Sequence, residues 1–451
     1  MPKNDLIELF KIYDLARDRL DRCICEIKTY YLSTSQYNPI VHTSSRIKTM
    51  ESCAGKLQKL KATNSILDES YYEFTARNIN EVLDDVVGYR IICPLLADVY
   101  KVVEKIREIP GIKIEEERNY IEEPKKSGYT SYHFKLKVYI NILNNNYEIE
   151  TKEIKAEIQV RTIGEDMIAT LDHQLNYKPT TVLPLQIKQY LKDIYTFVNI
   201  KDRELNARLT TQREPSSSVR RINLDEFLPV IDNEKFKTLT LMNRLALEEL
   251  KNKLSHLVKE NVKNGFQKHI EHMTSRVKNS SRIAEKLRYY DMEISYENIK
   301  NVIHDFAGIK IITPFFLSVD DVIDDIYELQ KNKELEVIEV QDYIDNPKPN
   351  GYSGYHMLVV VPITINNTLQ LVKVEILIRT LAQEWWAVIE ERLRYGQETN
   401  PEISYYLQTM AAKIREIDMN MQKISSLIDN DQPGSPKNKR RRKEQLKNTT
   451  T

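Results

Sequence analysis

The sequence predicts an α+β protein that contains one domain twice. Short apolar, β-rich runs and longer amphipathic stretches mix along the chain without the regular alternation of a parallel βαβ sheet. A set of polar motifs occurs once in each half, with matching residues 218 to 230 positions apart, a spread that loop-length variation explains. The length of 451 residues agrees with two domains, each large enough to bury a core.

The first half begins with an amphipathic helix, because apolar residues recur at three-to-four spacing between residues 4 and 31. Helical periodicity also predicts helices at 45–60, 98–108, 163–176 and 185–209. Apolar or alternating runs predict strands at 86–96, 113–118, 133–139 and 156–161.

The second half repeats this order, with helices predicted at 239–269, 275–288, 381–395 and 402–428 and strands at 307–312 and 373–379. These patterns place a first domain at 1–210, a Pro- and Ser-containing linker at 211–223, and a second, partly diverged domain at 224–430. The remaining residues, 431–451, are predicted to form a disordered tail that carries the basic run Lys437–Lys443.

The composition excludes several protein classes. The 66 basic and 66 acidic residues balance, so no global field attracts the chain to nucleic acid or membrane. The four cysteines form neither a disulfide framework nor a paired zinc motif. The amino terminus lacks the apolar run of a signal peptide, and the most apolar stretch, 358–365, is too short to span a bilayer. We therefore expect a cytoplasmic protein without a membrane partner.

The strand at 156–161 alternates strictly, so Glu157, Gln159 and Arg161 share one face. Alone, such a face is typical of an ordinary solvent-exposed strand. It recurs, however, as Glu375, Leu377 and Arg379. Because a merely solvated face need not repeat its residues, the recurrence favours a functional site.

A second carboxylate precedes the apolar strand in each half. Two carboxylates on neighbouring strands, next to basic side chains, are a typical arrangement for holding Mg²⁺ beside a polyphosphate. The candidate catalytic and metal-binding acids are Asp85, Glu157, Asp305 and Glu375.

The basic side chains of the first half are predicted to surround this site. Lys48 and Lys56, eight positions apart, are expected on one face of the helix at 45–60. Arg46 and Arg90 carry planar guanidinium groups that can stack on a base or pair with phosphate. The turn that contains Lys125 and Gly128 presents the ring of Tyr129. Neither a P-loop, a GxGxxG fingerprint nor a kinase motif set is present.

Taken together, the motifs SRIK…K, D-x-x-G-x-R-I, P-K-x-x-G-Y-x-S-x-H and E-I-Q-x-R-T resemble the RelA/SpoT synthetase domain, as does the following helix, which ends in His173-x-x-x-Tyr177-Lys178. Members of that family transfer the β,γ-pyrophosphate of ATP to a ribose 3′-hydroxyl. The usual acceptor is GDP or GTP, some relatives make adenosine analogues, and toxin relatives modify the 3′ end of tRNA. The resemblance implies Mg²⁺ as cofactor and ATP with a guanine or adenine nucleotide as partners.

The resemblance also implies a role for each matching residue. The acids named above would hold Mg²⁺. The implied ATP-binding residues are Arg46, Lys48, Lys56, Arg90, Arg276, Lys278 and Lys286, with Arg46 and Arg90 on either side of adenine. The implied acceptor-binding residues are Lys125, Tyr129, His133, Gln159, Lys348, Tyr352 and His356.

The second half departs from the family pattern. Arg90 becomes Lys310, Gln159 becomes Leu377, and the motif after the last strand changes to Glu391-x-x-x-Tyr395-Gly396. We therefore predict that the first domain is the catalyst and that the second is an altered active site or a nucleotide-sensing pseudo-site. A toxin-like enzyme acting on tRNA and a nucleotide sensor without activity remain alternatives, and the sequence leaves the oligomeric state open.

Overall fold

The computed structural model describes residues 2–34, 37–63, 69–143, 147–176, 185–211, 234–263, 269–394 and 401–430. The chain divides into two compact units. The first unit comprises Met1–Ser217 and Val388–Glu398, and the second comprises Ser218–Ala387 and Thr399–Thr451. Residues 212–223 of the predicted linker and the whole predicted tail lie outside the described residues.

The first unit contains a five-stranded mixed sheet. Its strands are β1 (His42–Ile47), β2 (Val87–Cys93), β3 (Ile112–Asn119), β4 (Tyr132–Leu143) and β5 (Ile149–Thr162). They lie in the order β1-β2-β5-β4-β3, and only the β2–β5 pair is parallel. The helices of this part of the chain are Pro2–Thr34, Met50–Thr63, Ala76–Val82, Leu96–Arg107, Ile163–Asn176 and Leu185–Thr211, and Glu69–Tyr72 is a short 3₁₀ helix.

The second half repeats this architecture strand for strand. Its sheet contains β6 (His272–Val277), β7 (Ala307–Thr313), β8 (Glu336–Asp342), β9 (Tyr355–Ile365) and β10 (Thr368–Thr380), in the order β6-β7-β10-β9-β8. Again only the central pair, β7–β10, is parallel. The helices are Glu234–Lys263, Ser280–Tyr289, Tyr296–Val302, Phe316–Lys331, Leu381–Arg394 and Pro401–Asn430. The predicted α+β class and the predicted repetition are confirmed.

One face of each sheet is buried by helices and the other carries polar side chains. In the first unit Ala156, Ile158 and Val160 are fully buried in a core that also contains residues of helix Pro2–Thr34. The intervening residues, Glu157 and Gln159, point to the opposite face, as the strict alternation predicts. This second face is where the polar motifs of the sequence collect.

The structure contradicts the helices predicted at 45–60 and 275–288. Residues 45–47 belong to β1, which pairs antiparallel with β2, and residues 275–277 belong to β6, which pairs with β7. Helix begins only at Met50 and at Ser280. These edge strands carry few apolar residues, so their own period is weak and pairing with the buried neighbouring strand decides their conformation. No helix in the described part of the chain is long and apolar enough to cross a membrane.

Candidate active site

The strand register of the first sheet places the repeated polar residues side by side. Gly88 of β2 lies opposite Glu157 of β5 on one side and opposite Arg46 of β1 on the other. Two residues further along, Arg90 lies opposite Gln159, which in turn lies opposite His133 of β4. These two rows follow directly from the pleat, because residues in register on adjacent strands point to the same face.

Asp85 lies just before β2, where two lysines bind it. Lys48 Nζ is 2.7 Å and Lys56 Nζ 2.8 Å from Asp85 Oδ2. Burial raises the pKa of Asp85, but the two lysines outweigh burial and hold this pKa below its ordinary value. The other oxygen, Oδ1, is buried and has no hydrogen-bond partner in the described part of the chain. This oxygen of the ionised carboxylate is therefore available to a further ligand.

Lys48 and Lys56 therefore converge as predicted, although by a different route. Lys48 follows the end of β1 and Lys56 lies on helix Met50–Thr63, so the two are not on one helix face. The backbone N–H of Lys48 bonds to the carbonyl of Val86, which brings the start of the helix next to Asp85.

Glu157 is the inner end of a chain of hydrogen bonds. His133 Nδ1 is 2.9 Å from Glu157 Oε1, and Tyr129 Oη is 2.9 Å from His133 Nε2. Burial lowers the pKa of His133 despite the nearby carboxylate, so the ring is neutral at pH 7. A carboxylate only accepts, so Nδ1 donates to Glu157 and Nε2 accepts from the tyrosine hydroxyl.

Glu157 is ionised in this arrangement. Burial raises its pKa, but the hydrogen bonds from His133 and from Gln159, whose Nε2 is 2.9 Å from Oε2, hold the pKa below the ordinary value. The negative charge of Asp85 also acts on Glu157 and opposes its ionisation. Two ionised acids close together are stable only beside cations.

Basic and aromatic side chains form the wall next to Tyr129. Lys125 Nζ lies 4.5 Å from the ring centroid of Tyr120 and 4.8 Å from that of Tyr129. The guanidinium of Arg161 lies 5.6 Å from the Tyr129 ring, and its Nη2 donates to the tyrosine hydroxyl at 3.3 Å. Such contacts are favourable cation–π interactions, and they orient the ring of Tyr129.

The two arginines predicted to enclose adenine differ in their anchoring. Arg46 is exposed and its side chain lies over Gly88, whose missing Cβ would meet Arg46 Cγ at 3.5 Å. Arg90 Nη1 is 3.1 Å from Oδ1 of Asp166, a residue with a buried side chain. The stacking role of both arginines stays a prediction.

The acids of the site suit a hard cation that shares its ligands with a substrate. Among the described residues there is no group of three or more His, Cys, Asp or Glu side chains able to hold a metal alone. Mg²⁺ is commonly bound through one or two carboxylates together with substrate phosphates. Asp85, with its unpaired Oδ1, and Glu157 fit this requirement.

The second unit contains the same constellation with three changes. Lys278 and Lys286 bind different oxygens of Asp305, so neither oxygen is left without a partner. His356 Nδ1 lies 2.9 Å from Glu375 Oε1, but Leu377 replaces the glutamine that supports Glu157. Lys310 replaces Arg90, and it pairs with Glu384, which also binds Arg379.

The structure brings the predicted residues together in each unit, but it does not test their roles. They lie on or beside the polar sheet face, including Arg276 of β6 opposite Gly308 and Lys348, 5.1 Å from the ring of Tyr352. His173 is exposed, and Tyr177, Lys178, Tyr395 and Gly396 lie outside the described residues.

Sequence reasoning missed Asp166 and Glu384, the acids that anchor Arg90 and Lys310. Each stands four positions after the repeated threonine, Thr162 or Thr380. Extending the comparison of the two halves by four residues would have found them.

The chain matches a known family in both halves. Residues 45–181 and 275–400 match the family model described as the region found in RelA / SpoT proteins. Together the two regions cover more than half of the chain. The chain therefore belongs to the RelA/SpoT family. This confirms the resemblance on which the residue roles were predicted.

Two proteins of Bacillus subtilis (strain 168) are similar to this member of the family. The GTP pyrophosphokinase YwaC is 33% identical over 203 residues, which cover 45% of this chain and 88% of YwaC. The GTP pyrophosphokinase YjbM is 32% identical over 212 residues, covering 47% of this chain and 98% of YjbM. The prediction of a GTP pyrophosphokinase-like transferase is thereby confirmed.

Solved structures give similar matches. A GTP pyrophosphokinase family protein from Streptococcus pneumoniae is 30% identical, with a TM-score of 0.40, and the match covers 44% of this chain and 96% of that one. Small alarmone synthetase 1 from Bacillus subtilis, solved with its product pppGpp, is 29% identical, with a TM-score of 0.39, and the match covers 44% of this chain and 100% of that one.

Proposed function

We propose that the first unit transfers the β,γ-pyrophosphate of ATP to the 3′-hydroxyl of GDP or GTP, with Mg²⁺ as cofactor. The observation that carries this proposal is the state of Asp85, an ionised carboxylate that two lysines bind through one oxygen while the other oxygen is buried without a partner. The negative charge of Asp85 also acts on Glu157. The guanine acceptor is supported by the relatives YwaC and YjbM, which are GTP pyrophosphokinases.

The site residues would act by positioning and by charge. Asp85 and Glu157 would hold Mg²⁺, which supplies charge neutralisation and activation of the acceptor oxygen. Each lysine ammonium has three donors, so Lys48 and Lys56 keep N–H groups for phosphate oxygens while they bind Asp85. Stabilising the transferring group in this way is the main protein contribution to such reactions.

The acceptor would lie against Tyr129. Arg161 and the hydroxyl contact to His133 orient its ring, and we propose that a guanine base stacks on this ring. Through His133 the same ring is linked to Glu157. The lowered pKa of Glu157 makes it a weak proton acceptor, so its proposed main roles are to hold the metal and orient the hydroxyl.

We assign catalysis to the first unit rather than the second because Asp85 has an oxygen that no lysine binds, whereas Asp305 does not. Both oxygens of Asp305 are occupied by lysines, which leaves no unused oxygen for a cation. Lys310 retains the positive charge of Arg90 but lacks a plane that can stack on adenine. We propose that the second unit binds a nucleotide weakly or not at all at this face.

The test is a transfer assay with the purified full chain. The protein is incubated with Mg²⁺ and ATP labelled in the β- and γ-phosphates, with GDP, GTP, ATP or bulk tRNA as acceptor, and AMP release and label position are followed. We expect label in a guanine nucleotide and none after chelation of Mg²⁺. Label in tRNA would support the toxin-like alternative, and no transfer to any acceptor would overturn the proposal in favour of a sensor.

A further inference from the structure

The second unit contains a cavity on the reverse side of the turn that presents Tyr352. The cavity has a volume of about 420 Å³, which lies within the range of small-molecule sites. Its wall is mainly apolar and includes Phe316, Ile344, Trp386, Ala411 and Ile414. The polar residues that also line it are Lys348, Ser353, Gln383, Gln408, Arg415 and Asp418. This combination of apolar lining and few polar groups is typical of ligand pockets.

The cavity adjoins the candidate active site, with which it shares Lys348, but does not coincide with it. Gly351 and Ser353 line it, whereas Tyr352, between them, directs its hydroxyl to His356 and to Arg379 Nη2, which is 2.9 Å away. None of the paired acids, Asp305 or Glu375, lines the cavity. A ligand here would contact Lys348 and the residues on both sides of Tyr352, but Tyr352 itself does not line the cavity.

The first unit shows what closes the same space. In both units the glycine of the turn contacts the last helix of the repeat. A Cβ on Gly128 would meet Cβ of Tyr195 at 3.1 Å, and one on Gly351 would meet Cβ of Ala411 at 2.5 Å. Tyr195 and Ala411 thus occupy matching positions, and Tyr195 is buried. Replacing a buried phenol ring by a methyl group opens the space, which the change from Ile168 to Trp386 fills only in part.

One turn further along this helix, the two units also differ in charge. In the first unit Asn199 accepts a hydrogen bond from Thr130 at 3.1 Å and ties the helix to the turn. The matching residue of the second unit is Arg415, which lies three positions before Asp418 as Asn199 lies three before Asp202, and it is on the wall of the cavity. Arg415 is exposed, donates only a long bond of 3.4 Å to the carbonyl of Ile344, and forms no ion pair within the described part of the chain. Two cationic side chains, Arg415 and Lys348, and one acid, Asp418, line the cavity, so the charge of its wall favours an anion.

We propose that this cavity binds a small aromatic molecule that carries one anionic group, with the ring against Trp386 and the anion on Arg415. Trp386 lines the cavity, and the only other tryptophan of the chain is its neighbour in sequence, Trp385. Their fluorescence therefore reports on the cavity without labelling. The binding measurement needs no nucleotide, so it stands or falls independently of the proposed transferase activity.

The probe is 8-anilinonaphthalene-1-sulfonate, an aromatic anion, and its matched control is N-phenyl-1-naphthylamine, which has the same rings without the sulfonate. The full chain is titrated with each, and probe emission excited through tryptophan is followed. We expect the anion to bind one per chain and at least about tenfold more tightly than the neutral control, since one charge-assisted contact is worth more than about 1.4 kcal/mol. Equal affinity of the two probes would overturn the anionic part of the proposal.

Two kinds of variant locate the binding. Ala411→Tyr with Trp386→Ile restores the pair of the first unit, and this double variant, read by direct excitation of the probe, should lose at least about tenfold in affinity because the ring fills the cavity. Arg415→Gln, at an exposed position, should weaken binding of the anion and leave binding of the neutral control unchanged. Unchanged binding of the anion by both variants, or no binding by the natural chain, would refute the site.

Discussion

The two units share a fold, a strand register and a set of acids, yet the hydrogen-bond partners of those acids differ. Asp85 keeps one oxygen without a partner, whereas both oxygens of Asp305 are paired. Glu157 is supported by an amide from Gln159, and Glu375 has a leucine at that position. A duplicated sheet thus preserves its geometry through strand pairing while individual side chains on it diverge.

The two units also differ in buried charge behind the last strand. In the first unit Thr162 donates its backbone N–H to Glu165 and its hydroxyl to Asp202, so two acids are buried together. In the second unit Gln383 replaces the first of these acids and Asp418 remains alone. The neutral amide makes the same backbone hydrogen bond without a second buried charge.

The largest effect is expected when Glu157, at the inner end of its hydrogen-bond chain, is compared with the matching Glu375. Glu157→Gln keeps the size of the side chain but removes the charge that would hold the metal, so transfer should fall by at least about 100-fold. Glu375→Gln is the matched control and should leave the rate within about twofold. Both are measured by AMP release. The reverse pattern would assign catalysis to the second unit.

A second prediction concerns Asp418. Burial raises its pKa to about 7, although the hydrogen bond from Thr380 opposes the shift. Because this folded-state pKa lies above the unfolded value, the folded unit holds an extra proton between about pH 4 and 7, and stability falls as pH rises through that window. Asp418→Asn removes the titration, so it should stabilise the unit by about 2 kcal/mol at pH 8 and by little near pH 4.

The measurement is thermal unfolding followed by tryptophan fluorescence, because Trp385 and Trp386 both lie in the second unit. Asp202→Asn, the matched change in the first unit, should leave the tryptophan-detected transition where it was. A variant whose pH dependence equals that of the natural chain would show that Asp418 is ionised in the folded state.

Exchanging the basic residues of β2 and β7 tests the adenine contact. Arg90→Lys copies the second unit and keeps the charge beside Asp166, but it removes the stacking plane, so KM for ATP should rise about tenfold with kcat little changed. Lys310→Arg should leave KM unaltered. An unchanged KM in the first variant would exclude stacking on Arg90.

The smallest effect is expected at Gln159. Its hydrogen bond helps to hold the pKa of Glu157 below the ordinary value, so Gln159→Leu, which copies Leu377, should raise that pKa. Activity that needs ionised Glu157 would then be lost at a higher pH on the acid side, while the rate at pH 8 changes less than about threefold. The pH–rate profile checks this, with Leu377→Gln as control. An acid limb that stays in place would show that another group controls it.

Several features of the protein were readable from its residues alone. The repetition of SRIK, Asp85, the turn at Lys125 and the strand around Glu157 predicted two copies of one α+β domain and the family to which they belong. The alternation from Ala156 to Arg161 predicted which face of β5 is buried. Such signals are local, since the two-residue period of a strand and the chemistry of a side chain need no distant partner.

Other features depended on contacts between distant parts of the chain. β1 and β6 lie in segments whose residue pattern predicted helix. They are strands because β1 pairs with β2 and β6 pairs with β7. The meeting of Lys48 and Lys56 on one oxygen of Asp85, the anchoring of Arg90 by Asp166, and the cavity opened at Ala411 all join residues far apart in sequence. Tertiary structure alone decided these, because burial, pairing and leftover hydrogen-bond capacity are properties of the packed chain.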